Sequence, residues 1–287
     1  MSLNSDSLCF LNGRMLPLKD AHVSVLDRGF IFGDGIYDVV PVYGHKLFRF
    51  DEHMARLARG LRELRIPNPF DRAGWLSRIR ELVATQGAPD QVVYIQVTRG
   101  VAPRDHAMPD GIEPTVFMMT NPMKQADEAT RSRGVSCVTA SDFRWARGDI
   151  KSVSLLGNVL ARQISADVGA VETVMLRDGW LTEGSGSNVW VVRGGVLLSP
   201  PRSNMILEGI RIALVEQLCA DGGIPLEMRP VNEAELRGAD EILLSSASKE
   251  LLPVTTLDGA PVGNGKPGPV YARLFEAYQH AKASQSI

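Results

Sequence analysis

DIKSVSLLGNVLARQ, residues 149–163, couples a lysine to an apolar stripe. Leu155, Leu156, Val159, Leu160 and Ile164 recur at three- and four-residue spacing, which predicts an amphipathic helix ended near Gly169. Val135–Thr139 upstream reads as a strand, so Lys151 falls between a strand and a helix, at the edge of an apolar core. The chain has seven lysines against twenty-four arginines, and most of the other lysines lie in polar, turn-like surroundings such as Leu18-Lys19-Asp20 or Gly265-Lys266-Pro267. Burial at the strand-to-helix junction favours the neutral amine, the form that attacks a carbonyl carbon. The plainer alternative is an exposed loop lysine paired with Asp149, and position alone favours it.

Outward from this segment the chain reads as two α/β units. Upstream, NPMKQADEATRSR (121–133) is polar and without apolar periodicity, as a linker would be. Before it, Leu8–Leu11 and Ile36–Val42 read as strands separated by the glycine-punctuated DRGFIFGDG. From Asp51, Met54, Leu57, Ala58, Leu61 and Leu64 mark a helix that Pro67 and Pro69 stop. Gln91–Thr98 and Thr115–Thr120 read as strands, the second apolar throughout Val116–Met119, as a strand buried on both faces would be. Downstream, Val171–Leu176 and Leu181 form a hairpin through Asp178-Gly179, and Asn188–Val192 with Val196–Leu198 a second. A helix from about Gly209 to Ala220, strands at Glu241–Leu244 and Leu251–Leu257, and a helix after Pro269 follow. The length of 287 residues suits two domains, 1–120 and 134–287, and two packed domains create a cleft where small molecules bind.

Composition narrows the function. Apolar residues at 44 % and charged residues at 22 % build cores and keep the outside wet. A net charge of −2 with dispersed arginines gives a phosphate backbone no attraction, so nucleic acid is not an expected partner. Apolar runs are far shorter than the roughly 20 residues a bilayer span needs, and MSLNSDS lacks a secretion signal, so the expected location is the cytoplasm. Cys9, Cys137 and Cys219 are widely separated among apolar residues and read as reduced packing residues, with no metal site expected.

Three further segments carry chemistry-bearing residues. Leu181–Val189 (LTEGSGSNV) sets the Glu183 carboxylate beside small polar residues. That carboxylate suits a protonated ring nitrogen, although a glycine-rich turn explains the pattern equally well. Met205–Ile210 leads into a helix whose first turn has free N–H groups, an anion seat that every helix shares. Pro103-Arg104-Asp105-His106 brackets a guanidinium and an imidazole, which together match a carboxylate; an exposed Arg–Asp pair is the bland alternative.

DRGFIFGDGIYDVV, DEHMARL, APRDHAMP, DIKSVSLLGNVLARQ, LTEGSGSNV, MILEGI and SSASKELLPV, in this order and nearly end to end, resemble the class IV (fold-type IV) aminotransferases dependent on pyridoxal 5'-phosphate (PLP), and most closely the bacterial D-amino acid (D-alanine) transaminases. The resemblance implies a two-domain α/β (α+β) fold with the cofactor in the interdomain cleft. It implies Lys151 as the catalytic Schiff-base lysine, Glu183 as partner of the pyridine nitrogen and Leu207 as the residue packed on the ring. It further implies Arg56 on the cofactor phosphate, with the backbone at Ile210 and Arg211 and with Ser246 and Ala247. Tyr37, Arg104 and His106 then hold the substrate carboxylate, the last two reaching in from the partner subunit of a homodimer. Three positions depart from the family: Arg211 and Ala247 stand where hydroxyl residues are usual, and Gly186 where serine is common.

The implied reaction is a ping-pong exchange between a D-amino acid and a 2-oxo acid such as 2-oxoglutarate. PRDH and the GSGSNV that follows Glu183 point to the D-specific branch, since branched-chain enzymes commonly carry glutamate where Ser187 stands. The alternatives are a branched-chain L-amino acid transaminase, an aminodeoxychorismate lyase, an R-selective amine transaminase, or a PLP-binding protein without activity.

Overall fold

The computed structural model describes residues 6–287. Six strands, β1 (Leu8–Leu11), β2 (Arg14–Pro17), β3 (Gly35–Tyr43), β4 (Lys46–Leu47), β5 (Gln91–Thr98) and β6 (Thr115–Pro122), form an antiparallel sheet ordered β2-β1-β6-β5-β3-β4. A short helix α1 (Arg28–Phe32) precedes β3, and α2 (Phe50–Glu63) and α3 (Arg72–Ala84) follow β4. One face of the sheet is buried, because Ile36, Val40, Val93, Ile95, Val97, Val116 and Met118 alternate inward and join Leu57 and Leu61 of α2 and Trp75, Ile79 and Leu82 of α3 in one core.

The other face is half-buried. Val116 and Met118 are buried while Phe117 and Met119 are not, so β6 is not covered on both faces as its apolar run suggests. The side chains of Tyr37, Tyr94, Gln96 and Phe117 share this second face, with Tyr37 paired to Gln96 and Gln96 to Phe117 across the strands.

After α4 (Glu128–Arg133), a second sheet is built from β7 (Val135–Ser141), β8 (Glu172–Arg177), β9 (Trp180–Gly184), β10 (Asn188–Arg193), β11 (Val196–Ser199), β12 (Leu226–Met228), β13 (Glu241–Ser246), β14 (Glu250–Leu257) and β15 (Ala260–Pro261). Its order is β12-β11-β10-β13-β14-β7-β8-β9, with β15 on β14, and the β7 pairings to β8 and β14 are parallel. The helices are α5 (Leu156–Asp167), α6 (Ile210–Gly222), α7 (Glu233–Arg237) and α8 (Pro269–Ser284). Pro269 opens α8, where a missing N–H costs nothing, and the Glu241 carboxylate accepts from Val270 N and Tyr271 N at 2.9 Å each.

In α5 the stripe points the wrong way for a core. Ala161 and Ser165 are its buried residues, whereas Leu156, Val159 and Leu160 are 71, 59 and 52 % exposed. Leu155 lies before the helix. The spacing marks an amphipathic helix correctly, but periodicity alone does not say what the apolar face meets.

The chain falls into two compact units. One holds the described residues up to Met123 together with Ile150–Leu155 and Gln285–Ile287; the other holds Lys124–Asp149 and Leu156–Ser284. The expected linker 121–133 contains the end of β6 and all of α4, which Asp127 caps by accepting from Thr130 N. The segment around Lys151 belongs to the first unit rather than to a 134–287 domain. The three cysteines are free and buried.

Candidate active site

Lys151 is fixed by backbone contacts to the first residues of β3, just after the glycine-rich turn. Its carbonyl accepts from Tyr37 N at 3.0 Å, Val153 N donates to Gly35 O at 3.0 Å, and Ser152 bridges Ile36. Gly33 ends α1 at φ +66°, and a Cβ there would collide with the Ser154 hydroxyl, which donates to Gly33 O. Glycine is thus required twice over, by its left-handed backbone and by the close approach. The Lys151 ammonium lies 4.1 Å from the centroid of the Tyr37 ring. Asp149, the partner a loop lysine would take, is bound to Arg147 instead.

Arg56 is held by a carboxylate that local sequence shows only as a break in an apolar run. Asp38 lies on the buried face of β3, wholly inaccessible, and takes Arg56 Nε at 2.9 Å, Arg56 Nη2 at 2.8 Å and His53 Nδ1 at 2.7 Å. Burial by itself would push the Asp38 carboxyl up, but the Arg56 and His53 charges and their hydrogen bonds overcome it and hold the group far below the usual carboxylate range. The two-point grip orients the guanidinium and leaves Nη1 outside it.

The Arg104–His106 loop is anchored from beneath. Arg28 donates Nε to Asp34 at 2.8 Å and Nη1 to Asp105 O at 2.5 Å, and Asp34 also takes Arg99 Nε at 2.7 Å. Burial opposes ionisation of Asp34, and the two guanidiniums more than offset it, lowering its pKa. The Phe32 ring packs against Arg28 at 4.8 Å, Arg104 at 5.4 Å and His106 at 5.4 Å. The Asp105 side chain takes Ala107 N rather than Arg104. Tyr37 stacks on Tyr94 at 5.8 Å, and among the described residues no hydrogen bond or ring contact joins it to Arg104 or His106 within one chain. Tyr94 donates to Gln96 Oε1 at 2.7 Å, and burial, with the neighbouring Tyr37, pushes its phenol up to about 12.

In the second unit, Glu183 stands near the end of β9 as a buried carboxylate. Oε1 accepts from Arg144 Nη1 at 2.6 Å; Oε2 accepts from Leu207 N at 3.0 Å and Asn188 Nδ2 at 3.4 Å. Asn188 also donates to Leu207 O at 2.9 Å, so Leu207 is tied to Glu183 through both of its backbone groups. Arg144 in turn grips Asp142 with Nε and Nη2, both at 2.9 Å. A second carboxylate, Glu172, is fully buried under the GSGS turn, where it accepts from Ser185 Oγ, from Ser187 Oγ at 2.8 Å and from Lys249 Nζ at 2.7 Å.

The first turn of α6 has Gly209 as its N-cap, and no side chain caps it. The N–H groups at a helix start have no acceptor within the helix itself, so an uncapped start offers them to an anion. The Arg211 side chain turns away into the interior, its Nε donating to Tyr278 Oη at 3.1 Å. Only its backbone can serve an anion at this helix start. Ser246 ends β13 and Ala247 opens the turn to β14, across which Ser246 Oγ accepts from Lys249 N at 3.1 Å.

Sequence reasoning does not single out Asp38, Arg144, Asp142, Glu172 or Lys249. For Asp38 a signal exists: a lone acid on the buried register of a strand demands a partner. Asp142 and Arg144, two residues apart in a loop, carry no such mark.

Residues 35–257 match the family described as amino-transferase class IV, and the chain belongs to that family. It is 40 % identical to the D-alanine aminotransferase of Bacillus licheniformis over 96 % of this chain and 97 % of that one. It is 39 % identical to the D-alanine aminotransferase of Staphylococcus aureus strain MSSA476, over 97 % of this chain and 99 % of that one. Among solved structures, the Escherichia coli branched-chain amino acid aminotransferase superposes with a TM-score of 0.91 at 24 % identity, over 98 % and 96 % of the two chains. A T.th. branched-chain amino acid aminotransferase, solved with pyridoxamine 5'-phosphate, gives 0.89 at 26 %, over 97 % and 95 %. The expected mixed α/β fold of fold-type IV is the fold observed.

Proposed function

We propose that the chain is a PLP-dependent transaminase that moves the amino group of a D-amino acid, D-alanine or a close analogue, to a 2-oxo acid such as 2-oxoglutarate. The observation that carries the reading is Lys151, a half-buried ammonium set over an aromatic ring by backbone contacts to the start of β3 and not tied to Asp149. Support for the D-specific branch comes from the full-length likeness to D-alanine aminotransferases at 40 and 39 % identity. The branched-chain alternative draws mainly on backbone likeness.

The residues present fit the cofactor. An added Cβ at Gly186 would meet only Glu172 Oε2, at 4.0 Å, so the turn beside Glu183 has open ground for a flat ring. The uncapped start of α6 suits a phosphate, and Arg211 and Ala247 cost two hydroxyls while keeping their N–H donors. PLP, when bound, supplies an electron-accepting ring and an aldehyde that exchanges amino groups. Lys151 would hold that aldehyde carbon, and its amine would be the base that carries the proton at the substrate Cα. Glu183 holds the proton on the ring nitrogen, and Leu207 packs on the ring. Arg56 Nη1, the backbone of Ile210 and Arg211, Ser246 Oγ and the Ala247 N–H hold the phosphate. Tyr37, Arg104 and His106 hold the substrate carboxylate, the last two reaching in from a second copy.

That second copy is supported by the outward stripe of α5. Burying Leu156, Val159 and Leu160 on association would supply about 1.5–3 kcal/mol for each side chain fully covered, enough to favour a homodimer. Among the described residues no helix is long and apolar enough to cross a membrane, and we place the enzyme in the cytoplasm.

One assay tests the assignment. The protein with PLP is given paired D- and L-amino acids plus 2-oxoglutarate, and the products are separated on a chiral column. Turnover of D-alanine is expected; faster turnover of L-leucine or L-isoleucine promotes the branched-chain reading, and no turnover promotes the lyase or the inactive binder. Borohydride reduction followed by peptide mass spectrometry should find the pyridoxyl adduct on Lys151 and nowhere else.

A further inference from the structure

We infer that Arg144 is a positioning residue that keeps Glu183 ionised, so that the proton Glu183 shares with the cofactor's ring nitrogen stays on the nitrogen. The inference rests on the reading of Glu183 as that nitrogen's partner.

A carboxylate facing a pyridine nitrogen shares one proton with it, and the proton goes to the stronger base. Glu183 is buried, 6 % exposed, and burial alone favours the neutral acid. Left by itself in this pocket it would compete for the proton. Hydrogen-bond donors oppose that, and they are unequal. Leu207 N and Asn188 Nδ2 are neutral dipoles at 3.0 and 3.4 Å, whereas Arg144 Nη1 brings a full positive charge to Oε1 at 2.6 Å.

Arg144 cannot wander off this duty. Its other two nitrogens are locked on Asp142, whose Oδ2 also takes Thr182 Oγ1 at 2.9 Å and whose Oδ1 lies 3.3 Å from Arg177 Nη2. The Arg144 carbonyl accepts from Arg177 Nη2 at 2.8 Å as well. The result is a chain of alternating charge, Arg177, Asp142, Arg144 and Glu183, that ends on the functional carboxylate. Burial works against the Arg144 cation, and its contacts with Asp142 and Glu183 outweigh it, raising its pKa. Burial likewise opposes the Asp142 anion, and the same pairing outweighs it and lowers that carboxyl. The nearby Glu172 plays no part, being closed by Lys249, Ser185 and Ser187.

The test reads the proton directly. Holoenzyme is prepared with PLP carrying 15N in the ring, and the ring-nitrogen chemical shift is recorded near neutral pH. The wild type should give the protonated-ring value. Arg144→Gln should move the signal most of the way toward the unprotonated ring, and Arg144→Lys, which returns a cation, should move it back. Because Arg144→Gln takes from the buried Asp142 its two-point cation and leaves it Arg177 and Thr182, the double variant Asp142→Asn/Arg144→Gln is run beside it, with the same shift expected. A protonated-ring value in the double variant overturns the inference, as does an Arg144→Lys signal no different from Arg144→Gln. Glu183→Gln separates the two ideas: if it too leaves the ring protonated, the Glu183 reading fails; if it alone shifts the signal, only the role of Arg144 fails.

Discussion

Asp38 in the first unit and Asp142 in the second each hold an arginine by two parallel hydrogen bonds in the interior. The pairs differ in what they present. Around Asp38 the guanidinium is what the grip leaves presented, with Nη1 outside it; around Asp142 the guanidinium is spent inside the protein, and its third nitrogen bonds a carboxylate, Glu183. One motif therefore displays a cation and the other an anion, and the extra residue beyond the arginine decides which. Another bidentate pair, Arg72 on Asp51, is exposed, and its guanidinium lies over the Phe50 ring.

The largest effect is expected at Asp38. Asp38→Ala leaves Arg56 and His53 as buried groups without their counter-charge and should cost about 3–5 kcal/mol, read as a lower urea midpoint with an unchanged slope. Cofactor affinity should fall with it, because Nη1 loses its aim. An intact midpoint would remove Asp38 from the comparison.

Acid sharpens the same point. The Asp38 carboxyl is depressed in the folded state, so its contribution is fully present above the unfolded value of about 4 and is lost as pH falls toward the folded one. Stability of the wild type should therefore drop steeply below about pH 4, and that of Asp38→Asn less steeply. Parallel pH profiles would show that other carboxylates carry the acid sensitivity.

On the anion side the damage should be chemical before it is structural. Glu183→Gln keeps the shape and the cofactor but loses a charge-assisted bond of about 1.5–3 kcal/mol, roughly one to two decades in single-turnover rate if felt in the transition state. Unchanged single-turnover kinetics would reject the role. The smallest effect belongs to the exposed pair: Asp51→Asn should leave both midpoint and rate within error, since solvent already screens it.

Much of this is legible in the chain itself. Strand and helix order and the turn glycines follow from local spacing, because each depends on residues near in sequence; the contacts that fix Lys151 come from Gly35, Ile36 and Tyr37 of the distant β3 and carry no such local mark. The α5 stripe shows in its period but its direction does not, since an outward apolar face and an inward one have the same spacing. Asp38 with Arg56 and Arg144 with Glu183 are 18 and 39 residues apart, and only the tertiary fold brings each pair together.

The way the chain threads its two units has a consequence for synthesis. Ile150–Leu155 completes the first unit although 26 residues of the other, Lys124–Asp149, are made before it, and the pairing of Phe48 with Ser286 waits still longer. A ribosome that has just delivered Met123 has not yet supplied the segment that seats against Gly33 and Gly35. Of two halves cut at that point and expressed separately, the first would lack Ile150–Leu155 and Gln285–Ile287, while the second would carry those segments without the strands they pair with, so the natural place to divide this enzyme is not the boundary that first meets the eye.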